Sequence, residues 1–307
     1  MISAVRAGQP RAVGRLITLV ENNAPSVRAV MKQLAPSTGR AHIIGITGSP
    51  GVGKSTTTTA LVAALRTKGQ RVGVLAVDPS SPFSGGALLG DRVRMQQHAL
   101  DTEVFIRSMA TRGHLGGLAV TAPQALRVFD AADCDTVLVE TVGVGQSEVE
   151  IAATADTTLV LLAPGMGDGI QAAKAGILEI GDIFVVNKSD RDGAQGLVRD
   201  LRSMIAMAER EPGDWKPPII KTVASAGGGI EDLLCAIDSF SEHAVTSGQW
   251  QSRRLDRAQA EVEALALAKV RSGFQISGEL GLRDLARAVR DGQLDPFSAA
   301  DQIVAQL

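Results

Sequence analysis

The sequence predicts a doubly wound α/β protein with a mainly parallel sheet and helical extensions at both ends. Three observations predict it. Short β-branched runs alternate with helical stretches between about residues 41 and 245, the order in which βαβ crossovers build a sheet. Most of those runs are continuously apolar, as strands covered by helices on both faces must be. The flanking zones, 1–40 and 246–307, carry helical spacing.

In chain order, Val13, Leu16, Ile17, Val20, Val27, Val30, Met31 and Leu34 stand at mostly helical spacings, broken by Asn22-Asn23-Ala24-Pro25. They predict a helical hairpin, followed by the linker "APSTGR". The expected strands are "HIIGIT" (42–47), "RVGVLAV" (71–77), "EVFIRS" (103–108), "DTVLVET" (135–141), "TTLVLLA" (157–163), "IFVVN" (183–187) and "IIKTVA" (219–224). Ligands of such a sheet belong at the carboxyl ends of its strands. In the last zone Leu255, Ala258, Val262, Leu265 and Ala266 fall near one helix face, "LRDLARAVRDG" stops at Gly292, and Asp295-Pro296 starts a further helix. This zone is either a helical cap on the sheet or a dimerisation arm, because a long amphipathic helix must bury its apolar face somewhere.

Bulk properties narrow the function classes. Of 307 residues, 45% are hydrophobic and 21% charged, as in ordinary globular proteins. A net charge of −2 provides no global attraction for nucleic acid or anionic membrane, and there is no local basic patch. Cys134 and Cys235 match no metal or disulfide spacing, and His42, His98, His114 and His243 are scattered singly. There is no run of ~18 apolar residues and no signal-peptide pattern, so the expected location is cytoplasmic.

The strongest motif is "GITGSPGVGKSTTTTALVAAL". Gly48-Ser49-Pro50-Gly51-Val52-Gly53-Lys54-Ser55 fits G-x-x-x-x-G-K-[ST], a P-loop, with an apolar strand before it and a helix after it. Its glycines let backbone N–H groups turn toward phosphate oxygens at a helix N-terminus, where the dipole favours anions. Lys54 would neutralise the β- and γ-phosphates, and the Ser55 hydroxyl would ligate Mg2+. Asn187-Lys188-Ser189-Asp190 selects the base: a carboxylate at Asp190 can accept both N1–H and the N2 amino group of guanine, which adenine does not offer. Ser225-Ala226, followed by Gly227, resembles the element whose backbone reads guanine O6. The expected ligands are therefore GTP and GDP with Mg2+.

Asp78, Asp91 and Glu140 compete for the metal, and because Mg2+ takes oxygen ligands and usually keeps waters, they need not all bind it directly. Asp78 and Asp91 also suit turn or helix caps. In "ETVGVGQSE" the residue after the switch glycine Gly143 is Val144, where switch GTPases place a water-orienting Gln. Gln146 is a substitute, a partner contact or a solvated loop residue. Arg92, Arg94, Arg107 and Arg112 are candidates to approach the γ-phosphate. Slow intrinsic hydrolysis, raised by a partner, is the expectation.

Read together, "GITGSPGVGKST", "DPSSPFSGGALLGDRVRM", "TRGHLGGL", "ETVGVGQSE", "NKSD" and "WKPPI" resemble, in this order, the methylmalonyl-CoA mutase-associated GTPases of the MeaB or MMAA type, also labelled ArgK. The likeness runs over nearly the whole chain. It implies a homodimeric GTPase that uses a glutamate in its second switch. Such a protein gates adenosylcobalamin delivery from an adenosyltransferase to an acyl-CoA mutase, and protects or reactivates that enzyme. Carried onto this chain, residues 48–56 bind phosphates, and Ser55, Asp78, Asp91 and Glu140 surround the Mg2+. Asn187, Lys188, Asp190, Ser225 and Ala226 recognise guanine, and Lys54, Glu140 and Gln146 are the catalytic candidates. "APGMGDGIQAAK" resembles the third switch, with Asp168, Gln171 and Lys174 at its polar positions and Gly169 where an acidic residue is expected. The alternatives are a nickel-delivery maturation GTPase, which needs Cys and His clusters, and a kinase or ATPase tied to basic amino-acid transport.

Overall fold

The computed structural model describes residues 1–78, 96–98, 100–110, 121–141, 151, 153–165, 178–278 and 281–305, without the side chains of 78, 96, 178 and 271–278. Seven parallel strands form one sheet: β1 (His42–Thr47), β2 (Val72–Asp78), β3 (Val104–Ala110), β4 (Thr136–Thr141), β5 (Thr157–Leu162), β6 (Ile183–Val186) and β7 (Ile219–Lys221). Their spatial order is β3-β2-β4-β1-β5-β6-β7. From β1 the chain winds to one side, returns to lay β4 against β1, then continues on the other side with β5. The winding reverses beside β1, and that switch point is where a crevice opens at the carboxyl ends of an α/β sheet.

The described α-helices of five or more residues are α1 (Ile2–Arg6), α2 (Pro10–Glu21), α3 (Val27–Leu34), α4 (Lys54–Thr67), α5 (Ala122–Ala131), α6 (Ala194–Met207), α7 (Ile230–Thr246), α8 (Gln249–Gly278), α9 (Leu282–Arg290) and α10 (Pro296–Val304). Successive strand side chains point to opposite faces, and the core divides accordingly. Val72, Val74, Leu138, Leu159 and Leu161 pack with Leu61, Val62 and Leu65 of α4 and Leu233, Ile237 and Phe240 of α7. The residues one step out of phase, Leu75, Val77, Val137 and Val139, pack with Leu16, Ile17 and Val20 of α2 and Leu126 and Phe129 of α5. A third cluster seats Leu201 and Ile205 of α6 on Val160, Leu162 and Phe184. Every residue of β4 and β5 is buried, which explains their unbroken apolar reading.

β1 appears with its expected bounds, and the other expected strands appear with ends moved by one to three residues. The largest change is at 219–224, where the strand stops at Lys221. Thr222 turns its hydroxyl toward Asn187, and Val223 forms an antiparallel bridge with Gly228.

Two compact units divide the chain, Met1–Arg254 and Leu255–Leu307. Within the first, the opening turns of α8 are fastened to the amino ends of β5 and β6. Arg254 pairs with Asp156 at 2.9 Å, and Arg253 bonds both oxygens of Asp182 at 2.8 Å. Arg254 also donates to the Gly39 and Ala41 carbonyls and lies 4.5 Å over the Trp250 ring. The second unit is helical: Asp295 caps α10 by accepting from Phe297 and Ser298 N–H groups, as its sequence predicts.

Candidate functional site

The phosphate loop follows from β1 and the glycines after it. Gly48 has φ 137°, and a Cβ there would stand 2.2 Å from the Leu161 carbonyl oxygen of β5. Gly53 has φ 100°, and its Cβ would fall 2.3 Å from Asn187 Nδ2. Both positions exclude any side chain on space as well as on backbone conformation. Gly53 also forms the N-cap of α4 without a side-chain bond, so the first N–H groups of the helix are left to the loop, an anion-binding arrangement. Lys54, 7% exposed, donates from Nζ to the carbonyls of Gly48 at 2.6 Å and Ser49 at 3.1 Å, folding back over the loop it follows. Pro50, Gly51 and Thr56 are exposed, and Val52 is buried.

Beside that loop stands Glu140. β4 is paired with β1 so that Glu140 lies opposite Ile46, and its side chain shares the face of Leu138, toward α4. It is 3% exposed, and a carboxylate so enclosed requires partners. Ser55 donates its hydroxyl to Oε1, and Thr58 Oγ1 lies 3.2 Å from Oε2. Ser55 and Thr58, three residues apart, stand on one face of α4. A hydroxyl and a carboxylate meeting at a phosphate-binding helix terminus make an oxygen donor set that suits Mg2+. Among the described residues, no group of three or more His, Cys, Asp and Glu side chains gathers to hold a metal by itself.

The base-reading segment is tied to the same loop. Asn187, 3% exposed, follows β6. Its Nδ2 donates to the Val52 carbonyl at 2.9 Å, while its Oδ1 accepts from Thr222 Oγ1 and Ala224 N, each at 3.1 Å. Lys188 adopts φ 53° and its Nζ donates to the Gly51 carbonyl at 2.7 Å. Asp190 is exposed in the turn beyond, and Ser225, Ala226 and Gly227 are exposed on the turn after β7. The carboxyl ends of β1, β4, β6 and β7 thus bring together the loop 48–56, Glu140, Asn187-Lys188 and the Ser225–Gly227 turn.

Other expected residues are placed differently. Gln146, Asp91, Asp168, Gln171 and Lys174 lie outside the described residues, as do Gly169, Arg92, Arg94 and Arg112. Asp78 ends β2 with its backbone beside Ala110 of β3, and its side chain is outside the described set. Arg107 is corrected as a phosphate candidate: its Nη2 donates to Thr18 Oγ1 at 3.0 Å and stands 3.9 Å from Glu21, so it faces α2. Sequence reasoning missed Thr58, and it missed that Asn187 braces the phosphate loop. The run Thr56–Thr59 held no signal for Thr58 beyond its spacing from Ser55.

Comparison with known proteins gives a consistent result. Residues 13–277 match the family model described as methylmalonyl-CoA mutase-associated GTPase MeaB. A Pyrococcus abyssi protein, provisionally named a GTPase, is 45% identical over 100% of this chain and 96% of its own. The mouse methylmalonic aciduria type A homolog, a mitochondrial protein, is 35% identical over 85% of this chain and 64% of its own. A crystal structure described as an LAO/AO transport system kinase superposes with a TM-score of 0.72 at 28% identity, covering 99% of this chain and 95% of the other.

Proposed function

Because the chain belongs to the MeaB family of methylmalonyl-CoA mutase-associated GTPases, we propose that its nucleotide cycle gates adenosylcobalamin delivery to an acyl-CoA mutase, methylmalonyl-CoA mutase foremost, and protects or reactivates that enzyme. The chain itself is a GTPase and binds guanine nucleotide, as its family does. The observation that carries the reading is the bond from Asn187 to the Val52 carbonyl, with Lys188 on Gly51. These bonds make the base-reading turn and the phosphate loop one connected body.

In this reading Lys54 leaves the Gly48 and Ser49 carbonyls for the β- and γ-phosphate oxygens, where its charge opposes the negative charge that grows as the bond breaks. Water attacks the γ-phosphorus, the bond to the β–γ bridging oxygen breaks, and GDP and inorganic phosphate result. Ser55 and Glu140 would hold Mg2+, with Asp78 and Asp91 assigned to its surroundings; when bound, the ion supplies charge neutralisation at the β- and γ-oxygens. Gln146 is the candidate to orient the attacking water. Asp190, Ser225, Ala226 and Gly227 frame the guanine. The loop bearing Asp168, Gln171 and Lys174 meets the mutase, and an adenosyltransferase supplies the cobalamin. A homodimer formed through the C-terminal helices is supported by the exposed Leu255, Val262 and Leu267 of α8.

The deciding experiment is turnover of GTP and ATP with and without purified methylmalonyl-CoA mutase. GTP is expected to be preferred, and the mutase to bind the protein and raise kcat. A mutase that neither binds nor alters turnover would refute the chaperone role while leaving the GTPase intact.

A further inference from the structure

We infer that Thr58 is a positioning residue that sets the Glu140 carboxylate for the divalent cation and the γ-phosphate; the inference rests on the reading of Ser55 and Glu140 as a Mg2+ site. Glu140 is held by both oxygens from two successive turns of α4, Oε1 by Ser55 and Oε2 by Thr58 at 3.2 Å. Two contacts constrain the carboxylate plane more than one, because the terminal torsion of glutamate is broad. The Ser55 oxygen is also the one assigned to the cation, so Thr58 supplies the hold that the cation does not share.

The chemistry of Thr58 fits that task. Its hydroxyl carries one proton and has two acceptors in reach, Glu140 Oε2 and the Lys54 carbonyl at 3.0 Å. The two oxygens share that one proton, and the ionised carboxylate is the stronger acceptor. The neighbouring Thr57 provides the contrast: equally buried, its hydroxyl has no hydrogen-bond partner among the described residues. A β-branched, hydroxylated residue is an indifferent choice for a buried helix position, and at Thr58 the contact with Glu140 accounts for it.

The test measures the Mg2+ concentration that half-maximally slows release of a fluorescent GDP from the full chain, for the wild type, Thr58→Val, Thr58→Ala, Thr58→Ser and Glu140→Gln. Loss of a hydrogen bond to a charged group predicts about a tenfold higher Mg2+ requirement for Thr58→Val and Thr58→Ala. Thr58→Ser should stay near wild type, and release in excess EDTA should be unchanged in all three. Agreement of Thr58→Val with Thr58→Ala guards against a folding defect in either. An unaltered Mg2+ requirement in both would overturn the inference, as would a loss in Thr58→Ser and Thr58→Ala with Thr58→Val, which keeps the methyl group, unaltered: that pattern would assign the effect to packing of the methyl group. If Glu140→Gln also leaves the requirement unchanged, the Ser55–Glu140 site is refuted along with it. If Glu140→Gln raises the requirement and Thr58→Val does not, the role of Thr58 alone fails.

Discussion

Lys54 and Asp190 differ in how they are held, and their variants should differ accordingly. Lys54 is buried and bonded to its own loop, so Lys54→Ala removes charge where the phosphates would sit. It should abolish hydrolysis and sharply weaken triphosphate binding, as read by turnover and titration with GTP. Asp190 is exposed and supports no neighbouring segment through any described bond, so Asp190→Asn should shift preference toward xanthosine triphosphate with little effect on folding; unchanged GTP affinity would count against the guanine assignment. A third residue makes stability depend on pH. Removal from water pushes the His42 imidazole down to about 4, with the nearby Arg254 charge acting in the same direction and Asp156 and Asp238 opposing it. Because the folded value lies below the ordinary 6.5, the unfolded chain binds the proton first. Stability is therefore full above about pH 6.5 and falls as pH drops toward 4, by about 3 kcal/mol in all. Urea denaturation of wild type and His42→Gln across that window measures the difference in slope. The P-loop and guanine residues were legible because their spacing lies in contiguous chain. Thr58 was not, because only the lateral placement of β4 against β1 decides which of four consecutive threonines faces Glu140.

Among the elements, the linker at 39–41 is gripped from two sides. Asp130 at the end of α5 accepts the N–H groups of Gly39, Arg40 and Ala41, while Arg254 of α8 takes the carbonyls of Gly39 and Ala41. The seven-residue αβ connection 35–41, which reads as a polar linker, is thereby fixed by residues about 90 and 213 positions away, beyond the reach of any local pattern. The strands were legible to within a few residues because periodicity reports burial. Their ends were not, since Thr222 leaves the β7 ladder for a tertiary partner, Asn187. Arg254→Ala breaks a pair whose carboxylate is 1% exposed and should cost about 3 to 5 kcal/mol. Arg40→Ala breaks a pair exposed by 66% and 61% and should cost less than about 1 kcal/mol. Chemical denaturation of the two variants side by side checks the ordering.

At the scale of the whole molecule, all seven strands point one way, so nucleotide-facing chemistry gathers at one edge of the sheet and the root of α8 at the other. The nucleotide side was legible from the parallel reading of the strands, but the seat of α8 was not, because it depends on pairs 71 and 98 positions apart in the chain. The C-terminal unit leaves Leu255, Val262, Leu267 and Phe297 with 61% to 83% exposure, more apolar surface than a lone helical arm normally keeps. If the proposed homodimer forms through this face, Val262→Glu together with Leu267→Glu should convert it to a monomer in sedimentation while leaving intrinsic GTP turnover near wild type.

One strand ties these two edges together. β6 begins just after Asp182, which holds Arg253, and ends just before Asn187, which holds the phosphate loop. The two anchors are five residues apart, about 16 Å in an extended chain, and the strand between them is wholly buried. No loop intervenes between the two anchors, so a displacement at Val52 is expected to reach the first turns of α8 through one buried strand.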